Sequence, residues 1–555
     1  MSRKSKVFTG LPEKKLALAF VLTAFAALFL GSNLGPFQAF NYAGLNIYHL
    51  KFMPFVNSYY QGLTLHGVLN ALVFTTFFIS GILWYLPAKE MNIRPNMTFS
   101  WISYFVMLLG LIIAAVAILA NTSNVMYTFY APLQGHWGFY LGLALVVVAS
   151  LMVAFEVVRM RQVWKSENPG KVTPIVTFMS VMTWLMWAIA SIGIVVEVVV
   201  FLLPWSLGMV NGVDPQITKS LFWWTGHPIV YFWLLPAYIS WYGLMPKQVK
   251  GELASDSLTR LVFVLFLLFS TPVGFHHQFT DPGIPAGWKM LHSMMTMFVG
   301  VPSLITAFTV GASLELGGRA LGGKGVLGWI KKLPWNDPSV AGQLMAMLLF
   351  IPAGAGGIVL GSFNLNIMLH NTAWVPGHFH ITVGGAVTLT FIAMTFWLLP
   401  HLTGRKLFAK PLALGTVWAW FIGMIFFSTG MHWEGLLLIP RRAYISNMAE
   451  NLQNVYAGAE FPMLLTGIGG GILWLAITLF FIVILGTIFL GKKGVDVPEA
   501  PFVDNEWASN TGLAATMDKI WTWFAVGILL VAIVYAPTLY ELFSTYVSIP
   551  GQKPW

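Results

Sequence analysis

The chain has 555 residues, of which 57% are hydrophobic and 9% are charged, with 30 Lys and Arg against 20 Asp and Glu. Soluble domains carry about 25% charged residues, so this composition excludes a soluble globular protein and predicts a protein that crosses a membrane many times. The chain has no cysteine, which excludes disulfides, thiolate zinc sites, iron–sulfur clusters and a cysteine-ligated copper centre within it.

Apolar segments long enough to cross a bilayer follow one another along the sequence. We predict about thirteen membrane helices in one all-α bundle, with residues 1–555 forming a single membrane-embedded domain. No loop is long enough to hold an extramembrane domain. The predicted helices cover residues 16–43, 59–86, 99–120, 136–158, 173–204, 220–245, 261–277, 289–315, 339–363, 368–400, 411–432, 463–490 and 520–546.

The positions of Lys and Arg predict how the chain is oriented in the membrane. Basic residues concentrate in cytoplasmic loops, and alternate loops of this chain are rich in them. This bias predicts a cytoplasmic N-terminus, retained as a first helix, and a C-terminus outside. It also accounts for the net charge of +10 without a nucleic-acid partner. The outer segments then contain six of the 30 basic residues: Lys51, Lys219, Lys289, Arg441, Arg442 and Lys553.

Two predicted helices carry histidines that together suit one copper ion. His227 is followed by proline and shares a helix face with Tyr231 at i+4. His276 and His277 are adjacent, so both reach one metal only where the backbone is irregular, as Pro272 just upstream favours. Imidazole is a good ligand for copper, and an incomplete set of three leaves a position for a substrate.

The segment His370–His380 contains three histidines inside an apolar region. An ionisable group in a membrane helix costs about 2–3 kcal/mol or more, which favours a functional interpretation. Residues at i and i+2, such as His378 and His380, lie about 200° apart on a helix and therefore face two different cofactors. We predict that His380 pairs with His66 on a low-spin haem. His378 would then bind a five-coordinate haem that faces the copper.

The remaining histidines carry weaker signals. His292 lies near the start of a predicted span, and its role stays open. A wet interface at the ends of spans explains four others, which are His49, His136, His401 and His432.

Three motifs resemble the signatures of haem-copper oxidase subunit I, and the resemblance extends over almost the whole chain. They are WWTGHPIVYFWLLP (Trp223–Pro236), TPVGFHHQF (Thr271–Phe279) and HNTAWVPGHFH (His370–His380). The B-family of cytochrome c oxidases is the most similar branch. Ile229 stands where A-family enzymes usually have Glu, and the early inner loops lack the Asn-rich motif of the second A-family proton channel.

The resemblance implies roles for individual residues. It assigns the same six histidines to two haem irons and the copper, and it matches Tyr231 to the tyrosine that the family cross-links to a copper-ligand histidine. Arg441 and Arg442 match the arginines that bind haem propionates; an ordinary loop pair is the alternative. His370 is implied as a further propionate or proton group, with helix capping or hydrogen bonding as the alternative. Asn366 replaces an Asp that relatives carry.

A proton route is also implied, of the K-type that the B-family uses. Hydroxyl groups recur along two predicted helices, where helix packing is the alternative explanation. Glu197 is a buried acid in another span, for which we expect a hydrogen-bonded role before a proton role. The hydroxyl residues are Tyr231, Tyr238 and Tyr242 on one helix and Ser303, Thr306 and Thr309 on another.

The expected activity is the four-electron reduction of O2 to water, with protons taken from the cytoplasm and coupled proton translocation. The implied cofactors are a low-spin haem b, a high-spin a-type haem and one copper ion. The implied partners are a subunit II with a binuclear copper site, a small single-helix subunit, and a cytochrome c, small copper protein or quinol as electron donor. Two alternatives are a nitric oxide reductase of the same superfamily and a proton-coupled secondary transporter.

Overall fold

The computed structural model describes residues 7–50, 55–448, 456–504 and 512–555. These residues form a helical bundle, which confirms the predicted fold class. A single pair of two-residue strands, β1 (Gly212–Val213) and β2 (Ile549–Pro550), runs antiparallel between two loops. Four basic residues that entered the charge pattern lie outside the described residues, and they are Arg3, Lys4, Lys6 and Lys51.

The first half of the chain folds into eleven helices, several of which continue one another within a single span. They are α1 (Leu11–Ser32), α2 (Gly35–Tyr42), α3 (Tyr59–Gly67), α4 (Thr75–Glu90), α5 (Met97–Leu119), α6 (Trp137–Glu167), α7 (Ile175–Val196), α8 (Leu203–Ser206), α9 (Pro215–Gly226), α10 (Pro228–Gly243) and α11 (Met245–Gln248).

The second half contributes the other described helices. They are α12 (Asp256–Ser270), α13 (Ala286–Phe298), α14 (Gly300–Ala320), α15 (Pro338–Gly361), α16 (Phe363–Leu369), α17 (Trp374–Phe379), α18 (Leu389–Thr403), α19 (Lys410–Leu436), α20 (Glu460–Leu490), α21 (Gly512–Met517) and α22 (Ile520–Ser544).

Several connections within spans are not α-helical. Three are π-helical, with one extra residue per turn, a feature that is frequent at functional sites. They are Val68–Phe74, Glu197–Leu202 and His380–Thr388. Four others are 3₁₀ turns: Ile47–Leu50, Gly274–Gln278, Ile330–Lys332 and Ile445–Asn447.

In the described part of the chain, eleven helical stretches are long and apolar enough to cross a membrane. The other two predicted spans, 220–245 and 261–277, are present as shorter helices. The first is interrupted between α9 and α10, and the second ends with α12 before the 3₁₀ turn. Both interruptions lie at the predicted copper-ligand histidines.

Helices α5 and α6 show how uninterrupted spans pack. Gly110 of α5 and Gly142 of α6 lie opposite each other, and a Cβ on Gly142 would be 2.5 Å from the backbone oxygen of Gly110. Small residues allow such close approach, which is the main source of helix association in a membrane.

A network of charges joins the loop before α22 to the ends of α6 and α12. The Asp518 carboxylate lies 2.8 Å from Nζ of Lys165 and 3.3 Å from Nη2 of Arg161. It also accepts the backbone N–H of Thr173 at 3.3 Å. Arg260, fully buried, forms its shortest ion pair with Asp256 at 2.7 Å.

Candidate metal centre and adjoining pocket

The first interruption places His227 between two helices. α9 ends at Gly226 and α10 begins at Pro228, because proline has no N–H to donate and its fixed φ suits the first position of a helix. The His227 side chain is buried, with 6% of its surface exposed.

The second interruption carries the other two histidines. After α12 the backbone forms the 3₁₀ turn Gly274–Gln278, which contains His276 and His277. This is the irregular backbone that Pro272 predicts. The turn allows two adjacent side chains to approach one point.

Three groups fix this turn. The N–H of Gly274 donates to the hydroxyl of Tyr535 at 2.9 Å, and the N–H of Phe275 donates to Nδ1 of His292 at 3.1 Å. A side chain on Gly274 would overlap the backbone oxygen of Trp223. The role that the sequence left open for His292 is therefore a structural contact with the turn.

His227, His276 and His277 converge. Each offers one ring nitrogen, and these nitrogens all lie within 4.8 Å of one another. Nδ1 of His227 is 3.2 Å from Nε2 of His277, and the ring centres of His276 and His277 are 4.2 Å apart. Two imidazole nitrogens that face each other at this distance fit two ligands of one metal ion. Three imidazoles without thiolate or carboxylate suit copper, zinc or iron.

The orientation of His276 depends on Thr296, which sequence analysis missed. The Thr296 hydroxyl donates to the backbone oxygen of His292 at 2.6 Å, so its oxygen accepts the Nδ1–H of His276 at 2.8 Å. Nε2 of His276 is then free for a metal, as is usual when the second nitrogen of a ligand is hydrogen-bonded. The available signal was a hydroxyl one helical turn after His292.

Aromatic rings enclose the other two histidines. The indole of Trp223 lies parallel to the ring of His277, with ring centres 3.8 Å apart and an interplanar angle of 7°. Tyr231 meets His227 edge-on at 5.0 Å between ring centres. The predicted neighbours His227 and Tyr231 therefore do lie side by side.

His66 and His380 face each other across a pocket. Their ring centres are 6.2 Å apart, and the ring planes differ by 13°. Two metal–nitrogen bonds of about 2 Å, with about 1.1 Å from each nitrogen to its ring centre, give a separation of about 6 Å. Nδ1 of His66 lies 2.9 Å from the oxygen of Gly31, and Nδ1 of His380 lies 2.7 Å from that of Pro376. Both Nε2 atoms are therefore available to one iron.

A pocket surrounds this pair. Its space amounts to about 1400 Å³, including the part open to the surroundings. The lining is mostly apolar. Its polar members include Tyr42, Tyr59, Asn70, Arg441 and Arg442.

His378 lies on another side of the same helix. A Cβ on Gly356 would be 3.1 Å from Nδ1 of His378, and one on Gly357 would be 3.3 Å from its Cε1, so α15 leaves room for the ring only with glycine there. His378 also interacts electrostatically with His227 and His276. It therefore lies on the side of the histidine cluster, while His380 lies on the side of His66.

Arg441 and Arg442 line the pocket. Nε and Nη2 of Arg441 donate to Oδ1 of Asn371 at 3.1 and 2.7 Å, and the Arg442 guanidinium lies 5.1 Å from the ring centre of Tyr127. Burial, together with the charge of Arg442, lowers the pKa of Arg441 to about 10. Among the described residues neither guanidinium pairs with a carboxylate, and a bound carboxylate would satisfy them.

His370 differs from its prediction in one respect. The predicted helix 368–400 begins only at Trp374, and His370 lies in the turn before it, because Asn371 has a positive φ of 61°. Burial and the charge of Arg441 lower the pKa of His370 to about 4. Asn366 donates from Nδ2 to the backbone oxygen of Leu360 at 2.6 Å, and its buried Oδ1 has no described partner.

The predicted hydroxyl residues lie on facing helices. The hydroxyls of Tyr238 and Tyr242 on α10 are directed toward Ser303, Thr306 and Thr309 on α14, without direct hydrogen bonds among the described atoms. Thr306 and Thr309 donate to backbone oxygens one turn earlier, at 2.8 and 2.7 Å. The protons of these two hydroxyls are therefore used within α14, as the helix-packing explanation also expects.

Two other polar side chains differ from expectation. The interfacial interpretation is wrong for His401, which is fully buried and lies between the Tyr85 hydroxyl and the backbone oxygen of Pro498, each at 2.8 Å. The loop that contains Pro498 covers it. Glu197 is fully buried in a π-helical segment, and in the described part of the chain neither carboxyl oxygen has a hydrogen-bond partner.

Comparisons with known proteins agree with this geometry. The family model for cytochrome c and quinol oxidase polypeptide I matches residues 15–472. Cytochrome c oxidase subunit 1 of Thermus thermophilus is 51% identical over all of this chain and 99% of that protein. Quinol oxidase subunit 1 of Sulfolobus acidocaldarius is 22% identical over 73% of this chain and 78% of that protein.

A solved structure has a similar fold. The cryo-EM structure of a heme-copper terminal oxidase dimer superimposes with a TM-score of 0.92 at 35% sequence identity. The match covers 98% of this chain and 95% of the other.

Proposed function

The chain belongs to the cytochrome c and quinol oxidase polypeptide I family, and from this premise we propose how its residues catalyse the reduction of O2 to water. The balanced reaction takes four electrons and four protons for each O2 and yields two water molecules. As a subunit 1 oxidoreductase of a terminal oxidase, the chain provides the catalytic site.

The convergence of His227, His276 and His277 is the observation that carries the proposal. Three imidazoles occupy two helix interruptions, and a fourth, His378 on α17, interacts electrostatically with His227 and His276. A transporter has no need for three histidines on one ion. The three imidazoles would hold a copper ion and His378 would hold a haem iron, and together these two metals would supply O2 binding.

When bound, a low-spin haem b, a high-spin a-type haem and the copper CuB supply electron storage and O2 binding. The chain supplies their geometry. His66 and His380 would hold the low-spin haem, which would serve electron transfer. His378, two residues before His380, would hold the high-spin haem. Arg441, Arg442 and His370 would bind the propionates.

Tyr231 is the residue that we assign to the chemistry at the metal pair. Its ring lies beside His227, where the hydroxyl can give a proton and the ring an electron during cleavage of the O–O bond. That contribution allows all four electrons to be delivered without release of peroxide. A covalent bond between Tyr231 and His227 would fix this position.

Protons would reach Tyr231 along the facing hydroxyls of α10 and α14. Hydroxyl groups that share no direct hydrogen bond can pass protons through intervening water. We propose uptake from the cytoplasmic side past Tyr242 and Tyr238, which makes the reaction electrogenic because electrons enter from outside. Coupled translocation of further protons belongs to the same proposal.

The chain acts in a complex. It has no cysteine and therefore cannot form a cysteine-ligated binuclear copper site by itself. A subunit II would provide that site, at which electrons enter the complex. We propose a small single-helix subunit as a further partner. The electron donor is a cytochrome c, a small copper protein or a quinol, and the membrane is the cell membrane of a prokaryote.

The test combines metal analysis of the purified complex with O2 uptake. We expect two haems and one copper attributable to this chain, distinguished from subunit II copper by its loss in His276→Ala. Iron in place of that copper, with turnover of nitric oxide, would establish the nitric oxide reductase instead. A colourless protein would contradict every haem assignment.

Tyr231→Phe gives a narrower test. The phenyl ring keeps the packing, so we expect normal haem and copper contents and a loss of turnover of roughly 10²-fold or more. Tyr238→Phe removes a hydroxyl of the route but leaves Tyr231 in place, so it should slow turnover less than Tyr231→Phe. Full turnover of Tyr231→Phe would remove Tyr231 from the mechanism.

A further inference from the structure

The loop between α14 and α15 exposes apolar side chains at its tip. Val326 is 84% exposed and Leu327 is 66% exposed. At the same end of the bundle Met91 is 6%, Ile93 3% and Val249 0% exposed, whereas Val7 is 60% and Val495 45% exposed. Val326 is thus the most exposed of these apolar side chains.

Hydrogen bonds hold the tip outward. Nε1 of Trp329 donates to the backbone oxygen of Val326 at 2.9 Å, and Nη2 of Arg319 donates to that of Gly325 at 3.3 Å. Gly325 has φ +72°, which permits the tight turn. The turn is thus fixed from both sides, and Val326 and Leu327 cannot fold back onto the bundle without breaking these bonds.

Basic residues surround the apolar tip. Lys324, Lys331 and Lys332 are exposed, and in the part of the chain that the structure describes none of them forms an ion pair. Trp329 and Trp335 lie beside them. Apolar side chains flanked by tryptophan and lysine are the composition of segments that lie in the interface of an anionic membrane.

We infer that residues 324–332 form a membrane-surface anchor, in which Val326 and Leu327 enter the interface and the three lysines contact anionic lipid headgroups. The loop joins the ends of two membrane helices, so the bilayer surface is within reach. Its end of the bundle is the one predicted to be cytoplasmic, where anionic lipids attract basic segments. The charge complementarity selects a lipid surface as the occupant.

The absence of cysteine from the chain makes the test direct. Val326→Cys in the purified complex, labelled with an environment-sensitive fluorophore, is placed in vesicles of phosphatidylglycerol and phosphatidylcholine with brominated acyl chains. Background labelling of partner subunits is subtracted with the parent complex. Glu252→Cys, at an exposed position in another loop of the same end, is the matched control.

We expect the label at 326 to lose about half of its emission to the brominated lipid and the label at 252 less than about a tenth. Replacing phosphatidylglycerol with phosphatidylcholine should reduce the quenching at 326, and Lys324→Gln, Lys331→Gln and Lys332→Gln together should abolish that lipid dependence. O2 uptake at the parent rate shows that each complex is folded.

Two results would overturn the inference. Equal quenching of both labels by aqueous iodide, without quenching by brominated lipid, would place the loop in water. Protection of the label at 326 from both quenchers would show that a protein partner covers the loop.

Discussion

Helices α5 and α6 cross the bundle without interruption, whereas α9, α10 and α12 break at the three converging histidines. Both regions are apolar and tightly packed around glycine. In α5 and α6 the glycine brings two regular helices together; at the histidine cluster Gly274 brings an irregular turn against α9. The same residue type therefore serves packing in one region and placement of ligand atoms in the other.

We expect the largest effect on copper content and activity from Gly274→Ala, in the irregular turn. The added methyl group would overlap the Trp223 backbone oxygen and the Tyr535 hydroxyl, so the turn must move. A displacement of about 1 Å at reacting groups costs roughly 10²-fold in rate. We expect copper content and O2 uptake to fall together, with the low-spin haem spectrum retained. Copper and turnover within about twofold of the parent would contradict the proposed role of the turn.

Thr296→Val tests the contribution of one hydrogen bond to the orientation of the ligand His276. Without the hydroxyl, the Nδ1–H of His276 loses its acceptor, and loss of such an outer partner costs about 10–100-fold in metal affinity. Copper retention during dialysis against a chelator measures the effect. Thr296→Ser keeps the hydroxyl and should retain copper like the parent. Loss of copper from the Ser variant but not from the Val variant would make the methyl packing of Thr296 responsible instead.

Gly142→Ala tests the regular region. Its Cβ would be 2.5 Å from the Gly110 backbone oxygen, and overpacking of this kind costs roughly 1–3 kcal/mol. The thermal midpoint should fall, while copper per folded chain and turnover per haem stay constant. Gly471→Ala in α20 meets nothing within 4 Å and is the control without a loss of stability. A change in copper content of Gly142→Ala would remove the distinction between the two regions.

We expect the smallest effect from removing the charge of Asp518, which lies outside both the α5–α6 contact and the histidine cluster. Burial opposes its ionisation, but hydrogen bonds from Lys165 and Thr173 and the charge of Arg161 outweigh burial and hold its pKa below the ordinary 3.8. This stabilisation is complete above pH 3.8 and is lost as the pH falls through the lower folded pKa.

Asp518→Asn should therefore be less stable than the parent by about 1 kcal/mol at neutral pH, with the difference disappearing in acid. Thermal midpoints of the two proteins between pH 7 and acid measure it. A difference that does not shrink below pH 3.8 would mean that Asn fails for steric reasons.

The sequence predicted the fold class and the proximity of most site residues for a physical reason. Buried ionisable groups are costly in a membrane, so His227, His276, His277 and the His378–His380 pair stood out against their apolar surroundings. Their convergence in space follows from helix breaks that Pro228 and Pro272 signal locally.

The supporting contacts were not predictable in the same way. Thr296, Tyr535 and Trp223 act on the turn Gly274–Gln278 from three different helices, and their residue types are common in any apolar span. Such contacts depend on tertiary packing, which one sequence does not contain. The same reason explains the error at His401, where a loop nearly a hundred residues later covers an apparent span end.

The two histidines that face each other across the pocket, His66 and His380, both adjoin π-helical segments: His66 precedes Val68–Phe74 and His380 begins His380–Thr388. A π-helical turn is an α-helix with one residue inserted. Deleting a single residue from either segment would restore the regular helix and rotate everything on one side by about 100° relative to the other. In alignments of homologous chains, gaps at these segments should therefore be one residue long. Where such a gap occurs, the helix beyond it should turn a different face toward its neighbours.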